Sequence, residues 1–176
     1  ELVKIPGIGI SLAQEISSKS YHEATEKEIA FIEKHDILPL WIENDNYPKK
    51  LKNCEDAPVL LYYKGNANLN QQRIISIVGT RNATHYGRKI CESFIEQLKP
   101  LNPLIVSGLA YGIDVISHRN ALLQDIPTVG VLGHGLDRIY PSAHREVAAK
   151  MIQNGGLLTE FPSETNPDRQ NFPMRN

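Results

Sequence analysis

This 176-residue sequence is first narrowed by what it lacks. It holds two cysteines, Cys54 and Cys91, far apart and without CxxC or Cys/His spacing, so neither a disulfide framework nor a zinc site is indicated. Cys91 falls on the apolar side of an expected helix and reads as core. No apolar run approaches a membrane span and no signal peptide precedes the first motif, so the expectation is a cytoplasmic protein without membrane contact. The net charge of −1 excludes a broadly basic nucleic-acid binder of the obvious kind. The dinucleotide fingerprint fails, because after Gly133 and Gly135 the third glycine position is Arg138, and Gly7-Ile8-Gly9 follows no strand. A Walker A loop, a nucleophile elbow, a histidine-supported cysteine and a clear carboxylate pair are all missing. No catalytic residue and no cofactor is therefore assigned.

What is present is unevenly placed. Hydrophobic residues make up 41% of the chain, ordinary for a globular protein. Residues 1–72 carry 8 Lys+Arg, all lysine, against 11 Asp+Glu, whereas residues 73–176 carry 11 against 9, with eight arginines among them. Arginine offers a planar fork matched to phosphate oxygens, so its segregation points to a phosphate-bearing ligand, with surface preference as the competing explanation. The chain begins at Glu1 rather than methionine and ends at Arg175-Asn176 without a closing element, which reads as a fragment of a longer protein.

Three segments are expected. Residues 1–35 read as a partial helical domain: Pro6-Gly7-Ile8-Gly9 with Leu12, Ala13 and Ile16 behind it gives the turn and second helix of a helix-hairpin-helix, either a backbone contact to a DNA phosphate or a packing unit. A polar helix follows over about 25–35, with Ile29, Phe31 and Ile32 as its buried side and Thr25-Glu28 as a capping box. Residues 36–72 read as a connector with one or two edge strands, punctuated by Pro48, Pro58 and Gly65. Residues 73–176 form the main domain. Apolar runs at 74–78, 104–106, 128–132 and 157–159 alternate with helical spacing at about 84–98, 113–124 and 143–153, which is the βαβ alternation of an α/β, doubly wound, mostly parallel sheet. Ser142 is expected to cap the third helix and Gly155-Gly156 to end it, with Pro100 and Pro103 bracketing the exit from the first.

Ligands of such sheets bind outside the carboxyl ends of the strands. The strand ends here deliver Gly79-Thr80-Arg81, Ser107-Gly108, Gly133-His134-Gly135 and Glu160-Phe161-Pro162 to one rim. After the second strand, Tyr111-Gly112-Ile113-Asp114 opens a helix, whose start supplies unpaired N–H donors and partial positive charge. Glycines 108 and 112 either let a phosphate approach the main chain or only permit tight packing. Asp114 and His118 stand at i and i+4, and His144 could approach from another loop; capping and local hydrogen bonding compete with metal ligation there, and no metal is assigned. Tyr86, Tyr111, Tyr140 and Phe172 are the aromatics near the rim, suited to base stacking or to turn packing, with Tyr111 favoured for stacking.

The motifs VGTRNATHYG (78–87), IVSGLAYGIDVISH (105–118), VLGHGLDRIYPSAH (131–144), GGLLTEFP (155–162) and NFPMRN (171–176) resemble, in order and spacing, the DNA-processing protein A (DprA, also called Smf) family. Tyr47-Pro48, Asp56-Ala57-Pro58-Val59-Leu60, Tyr62 and Lys64-Gly65 are similar to the segment that leads into the family's core, and the N-terminal helices to the tail of its small helical, SAM-like domain. The resemblance implies a Rossmann-like core, incomplete at its C-terminus here, that binds single-stranded DNA without strong sequence preference, protects it and helps load the RecA recombinase in natural transformation, acting as a homodimer and not as an enzyme. Carried over by motif, Arg81 is the leading DNA contact and Ser107, Gly108, Arg175 and Asn176 line its pocket, with Gly79, Thr80, Tyr111 and Gly112 on the same turns and Arg88, Lys89 and Arg138 flanking. The alternative is a nucleotide phosphoribohydrolase on a related scaffold, but that group's PGGxGT signature is missing and Gly155-Gly156-Leu157 is a poor substitute.

Overall fold

A computed structural model describes residues 2–17 and 21–175, and the chain divides into two compact units, Glu1–His35 and Asp36–Asn176. In the first unit a single turn at Leu2–Lys4 leads to α1 (Ile10–Ser17), and α2 spans His22–Lys34. Helix α2 starts three residues before Thr25, so the proposed capping box lies inside the helix, and Tyr21 at the N-cap makes no side-chain cap bond. Of the apolar face expected on α2, Phe31 and Ile32 are half-buried while Ile29 is 49% exposed.

The second unit is built on one six-stranded sheet. Its strands are β1 (Leu38–Trp41), β2 (Leu60–Gly65), β3 (Ile74–Ser76), β4 (Leu104–Ser107), β5 (Thr128–Val131) and β6 (Gly155–Thr159), arranged in the order β1-β2-β6-β5-β4-β3. Strands β3 to β6 run parallel, as expected of a Rossmann-like sheet, and β1 and β2 extend it antiparallel beyond β6. The 36–72 stretch thus supplies one edge strand, β1, and one interior strand, β2, which lies between β1 and β6. Between them sits the short helix α3 (Lys49–Lys52).

Helices α4 (His85–Leu98), α5 (Ile113–Leu123) and α6 (Arg145–Gln153) connect the parallel strands, and α7 (Asn171–Arg175) follows β6. Successive residues of a strand face opposite sides of the sheet. Ile105 and Leu157 accordingly pack with Cys91, Ile95, Ile116, Val147 and Met151 on the helix side, while their neighbours Leu104 and Leu158 pack with Tyr47, Leu61 and Leu69 on the other. The segment before β3 therefore covers the sheet face that α4 to α6 leave open.

Local chemistry sets the helix limits. Thr84 caps α4, its hydroxyl accepting the Gly87 N–H at 3.1 Å. Ser142 does not cap α6: it opens a tight turn over Ser142–His144, and α6 begins at Arg145 without a side-chain cap bond. Gly155 and Gly156 do not close that helix either but open β6. The cause is steric, since Gly155 has φ +140° and a Cβ there would meet the Thr128 carbonyl oxygen at 1.8 Å. The Tyr63 hydroxyl also donates to the Gly155 carbonyl at 2.7 Å and accepts the Ala67 N–H at 2.8 Å, tying β2 to the start of β6. Gly155→Ala is expected to lower stability in urea unfolding by more than about 2 kcal/mol, since strain and collision add; an unchanged midpoint would contradict this close approach.

Candidate phosphate-binding cleft

The site lies wholly within the second unit, at the carboxyl ends of β3, β4 and β5. The backbone turns there because glycine allows two strand ends to touch: Gly112, at φ +79°, has no room for a Cβ, which would fall 2.1 Å from the Thr80 carbonyl oxygen and 2.5 Å from that of Arg81. The Ile113 N–H donates to the same Thr80 carbonyl at 3.1 Å, so the start of α5 is fastened to the turn after β3. This fastening places Arg81 beside the turn that follows β4.

A cleft opens over these turns, lined by Arg81, Leu109, Ala110, Tyr111, Leu132, Gly133, His134, Tyr140, Pro141, Phe172 and Arg175. The Arg81 and Arg175 guanidinium carbons lie 5.7 and 5.9 Å from the Phe172 ring centroid, so two cations share one aromatic ring. Tyr140 packs 6.1 Å from Phe172, and Tyr111 stands edge-on to His144 at 4.9 Å. Arg175 also donates to the Val131 carbonyl at 3.2 Å.

A carboxylate accompanies the two arginines. Asp114 is 7% exposed, and burial raises its pKa while the Ala110 N–H, Arg175, Ser107 and Arg81 pull it down. Burial likewise lowers the Arg175 pKa, with Asp114 opposing the shift and Arg81 adding to it. A Cβ on Gly108 would fall 2.5 Å from Asp114 Oδ2 and 2.7 Å from Arg175 Nη1, so glycine at 108 is what lets this pair close over the turn. The cleft thus holds two cations and one buried counter-charge, a net surplus suited to an anion.

Two buried histidines sit beneath. His118 Nε2 bonds the Gly108 carbonyl and Nδ1 lies 2.7 Å from the Thr128 hydroxyl; His144 Nδ1 lies 2.8 Å from the Leu109 carbonyl. Burial, the largest cause, takes the His118 pKa down to about 4 against the lifting effect of the Gly108 carbonyl. His134 is 1% exposed, with Nδ1 2.9 Å from the Gly135 carbonyl, and burial lowers its pKa. Asp114, His118 and His144 face these separate partners, and among the described residues no group of three His, Cys, Asp or Glu could hold a metal ion.

The residues singled out from sequence separate into three groups. Arg81, Tyr111 and Arg175 line the cleft, and Gly79, Thr80, Gly108 and Gly112 form the turns that carry it. Ser107 lies on the same turn, but its hydroxyl points inward and donates to the Ile77 carbonyl at 2.6 Å. Arg88 and Lys89 are exposed on α4 and do not line the cleft; Arg138 is engaged by Asp137 at 2.7 Å and by the Asn166 side chain. Asn176 lies outside the described residues. What the sequence reading missed is the part of the lining given by Leu109, Ala110 and Leu132; apolar letters give no signal of a place in a cleft.

The neutral state of His118 gives a pH dependence. Its folded pKa lies below the unfolded 6.5, so its contribution to stability is complete above 6.5 and is lost as pH falls through about 4. From this group alone, lowering pH across that window is expected to remove on the order of 3 kcal/mol. Thermal unfolding followed from pH 7 to pH 4 checks this: the wild type is expected to lose more stability than His118→Gln, and equal losses would contradict a buried neutral ring.

Comparison with known proteins completes the description. Residues 39–176 match the family described as DNA recombination-mediator protein A. The chain is 35% identical over 159 residues to the DNA processing protein DprA of Bacillus subtilis, covering 90% of this chain and 54% of that protein. Among solved structures, DNA processing protein A from Streptococcus pneumoniae superposes with a TM-score of 0.74 at 32% identity, over 94% of this chain and 60% of that one. DNA processing protein A from Helicobacter pylori, reported for its single-stranded DNA binding mode, gives a TM-score of 0.70 at 31% identity over 79% and 62%. The chain spans about half the length of the curated relatives it matches.

Proposed function

This chain belongs to the DNA recombination-mediator protein A family, and from that premise we propose that its cleft holds the backbone of single-stranded DNA without reading its sequence. The observation that carries the reading is the pair of guanidinium groups, Arg81 and Arg175, flanking Phe172 above two strand-to-helix turns. Guanidinium forks bind phosphate oxygens regardless of base, and turn N–H groups fix the strand's position. The exposed faces of Tyr111 and Tyr140 give bases a surface to stack on, each worth about 1–3 kcal/mol when engaged. In this reading the protein is a nonenzymatic mediator in the cytoplasm that protects incoming DNA and helps load RecA, acting as a homodimer. The single-stranded DNA binding mode for which the Helicobacter relative is reported supports it.

Binding by phosphate neutralisation is salt-dependent. For three to five phosphates contacted, the log-log plot of oligonucleotide affinity against salt is expected to have a slope of roughly −2 to −3.5. Arg81→Ala is expected to weaken all sequences alike and to flatten that slope by about 0.7. Salt-independent binding would contradict the reading, and unchanged affinity in Arg81→Ala would remove Arg81 from the site. Incubation with AMP separates the enzymatic alternative: no free base is expected, and its release would favour the phosphoribohydrolase.

A further inference from the structure

We infer that His118 and His144 are positioning residues whose buried rings fix the 108–110 turn so that the main-chain N–H of Leu109 faces the cleft. The inference rests on the reading of that cleft as a phosphate-holding site and assigns the placing of its neutral main-chain donor to two side chains that never touch the ligand.

A carbonyl oxygen only accepts hydrogen bonds, so each ring nitrogen facing one must carry the proton. His118 is therefore protonated at Nε2, toward Gly108, while its bare Nδ1 faces the Thr128 hydroxyl at 2.7 Å, whose proton also lies toward the Ile105 carbonyl at 3.2 Å. His144 is protonated at Nδ1, toward Leu109, at 2.8 Å. The rings belong to different segments, α5 and the turn before α6, and are 0% and 2% exposed. Two successive carbonyls, of Gly108 and Leu109, are thus drawn into the interior. In a planar trans peptide the N–H points opposite to the C=O, so the N–H groups of Leu109 and Ala110 face away from the rings. Consecutive N–H groups on one side of a turn are suited to oxyanions, and here they divide between the protein's own carboxylate and the cleft. The Leu109 side chain is packed in the core, so what Leu109 shows to the cleft is main chain. The Ala110 N–H is met by the Asp114 carboxylate, which leaves the Leu109 N–H as the donor aimed at an incoming phosphate.

The two nitrogens of each ring have different amide mimics: asparagine places its NH2 near the former Nδ1, glutamine near Nε2. Four variants then separate donor placement from packing. His118→Asn and His144→Gln lose the donor to the carbonyl; His118→Gln and His144→Asn keep it. With an oligothymidylate probe, the donor-losing pair is expected to bind about tenfold more weakly, the size of one lost hydrogen bond to a charged group, and the conservative pair to recover most of that loss. Because an N–H is neutral and releases no counterion, the salt slope stays at the wild-type value in all four, unlike in Arg81→Ala. Equal affinity within each Asn/Gln pair, or a flattened slope, would overturn the assignment. The Gly108 and Leu109 carbonyl 13C resonances, recorded without DNA, are expected to move in the donor-losing variants and return in the conservative ones. Inorganic phosphate is expected to shift the wild-type Leu109 amide. If the wild type binds no oligonucleotide but these shifts occur, the DNA reading falls and the positioning role stands; if carbonyl and amide resonances do not respond, the positioning role falls. Should a donor-losing variant not fold, Thr128→Val removes the hydroxyl that holds the other side of the His118 ring and is expected to weaken phosphate binding; unaltered binding would count against the inference.

Discussion

The close approach of Gly112 to the Thr80 and Arg81 carbonyls is the constraint on which the rest of the site depends. At 2.1 and 2.5 Å from where a Cβ would stand, no side chain larger than hydrogen fits without moving backbone. The same contact lets the Ile113 N–H reach Thr80, which fixes the first turn of α5 against the end of β3. A single missing Cβ therefore sets where Arg81 emerges and how the turn after β4 lies beneath it. Gly108 applies the same logic one turn earlier, leaving space that Asp114 and Arg175 occupy.

Around that constraint the cleft divides its work between charge and shape. Arg81 and Arg175 supply long-range attraction that salt screens, and both guanidinium groups lie within cation–π distance of the one Phe172 ring. Asp114 moderates their mutual repulsion from within the protein. Beneath, the Gly108 and Leu109 carbonyls are held from behind by the buried His118 and His144 rings. In the proposed role such an arrangement is blind to base identity, because guanidinium groups and main-chain N–H groups recognise an oxyanion and aromatic rings a π-face.

Much of this was legible in the letters. The helices at 84–98 and 113–124 matched α4 and α5 within a residue or so, because apolar spacing and flanking glycines are local signals. The turns carrying Arg81 and Gly112 were readable for the same reason. Long-range events were not. That β2 lies inside the sheet depends on pairing with β6, roughly a hundred residues later in the chain. Arg138 looked available in sequence, yet Asn166, 28 residues on, takes part of its guanidinium. The Ser107 hydroxyl belongs to a motif that suggested ligand contact, but its inward position at the end of β4 sets it between the Ile77 carbonyl and the buried Asp114. Gly155-Gly156 read as a helix stop because glycine often ends helices; the contact with Thr128 that makes it a strand start is invisible locally.

The central claim is that a nucleic-acid backbone enters the cleft over the 79–81 and 108–112 turns. Amide chemical-shift mapping during titration of the 15N-labelled protein with a short oligothymidylate tests it most directly. The account predicts that the largest changes cluster at Gly79, Arg81, Leu109, Ala110 and Tyr111, with those at Arg88, Lys89 and Arg138 small. Changes concentrated on the α4 face or around Arg138, with the two turns silent, would contradict it.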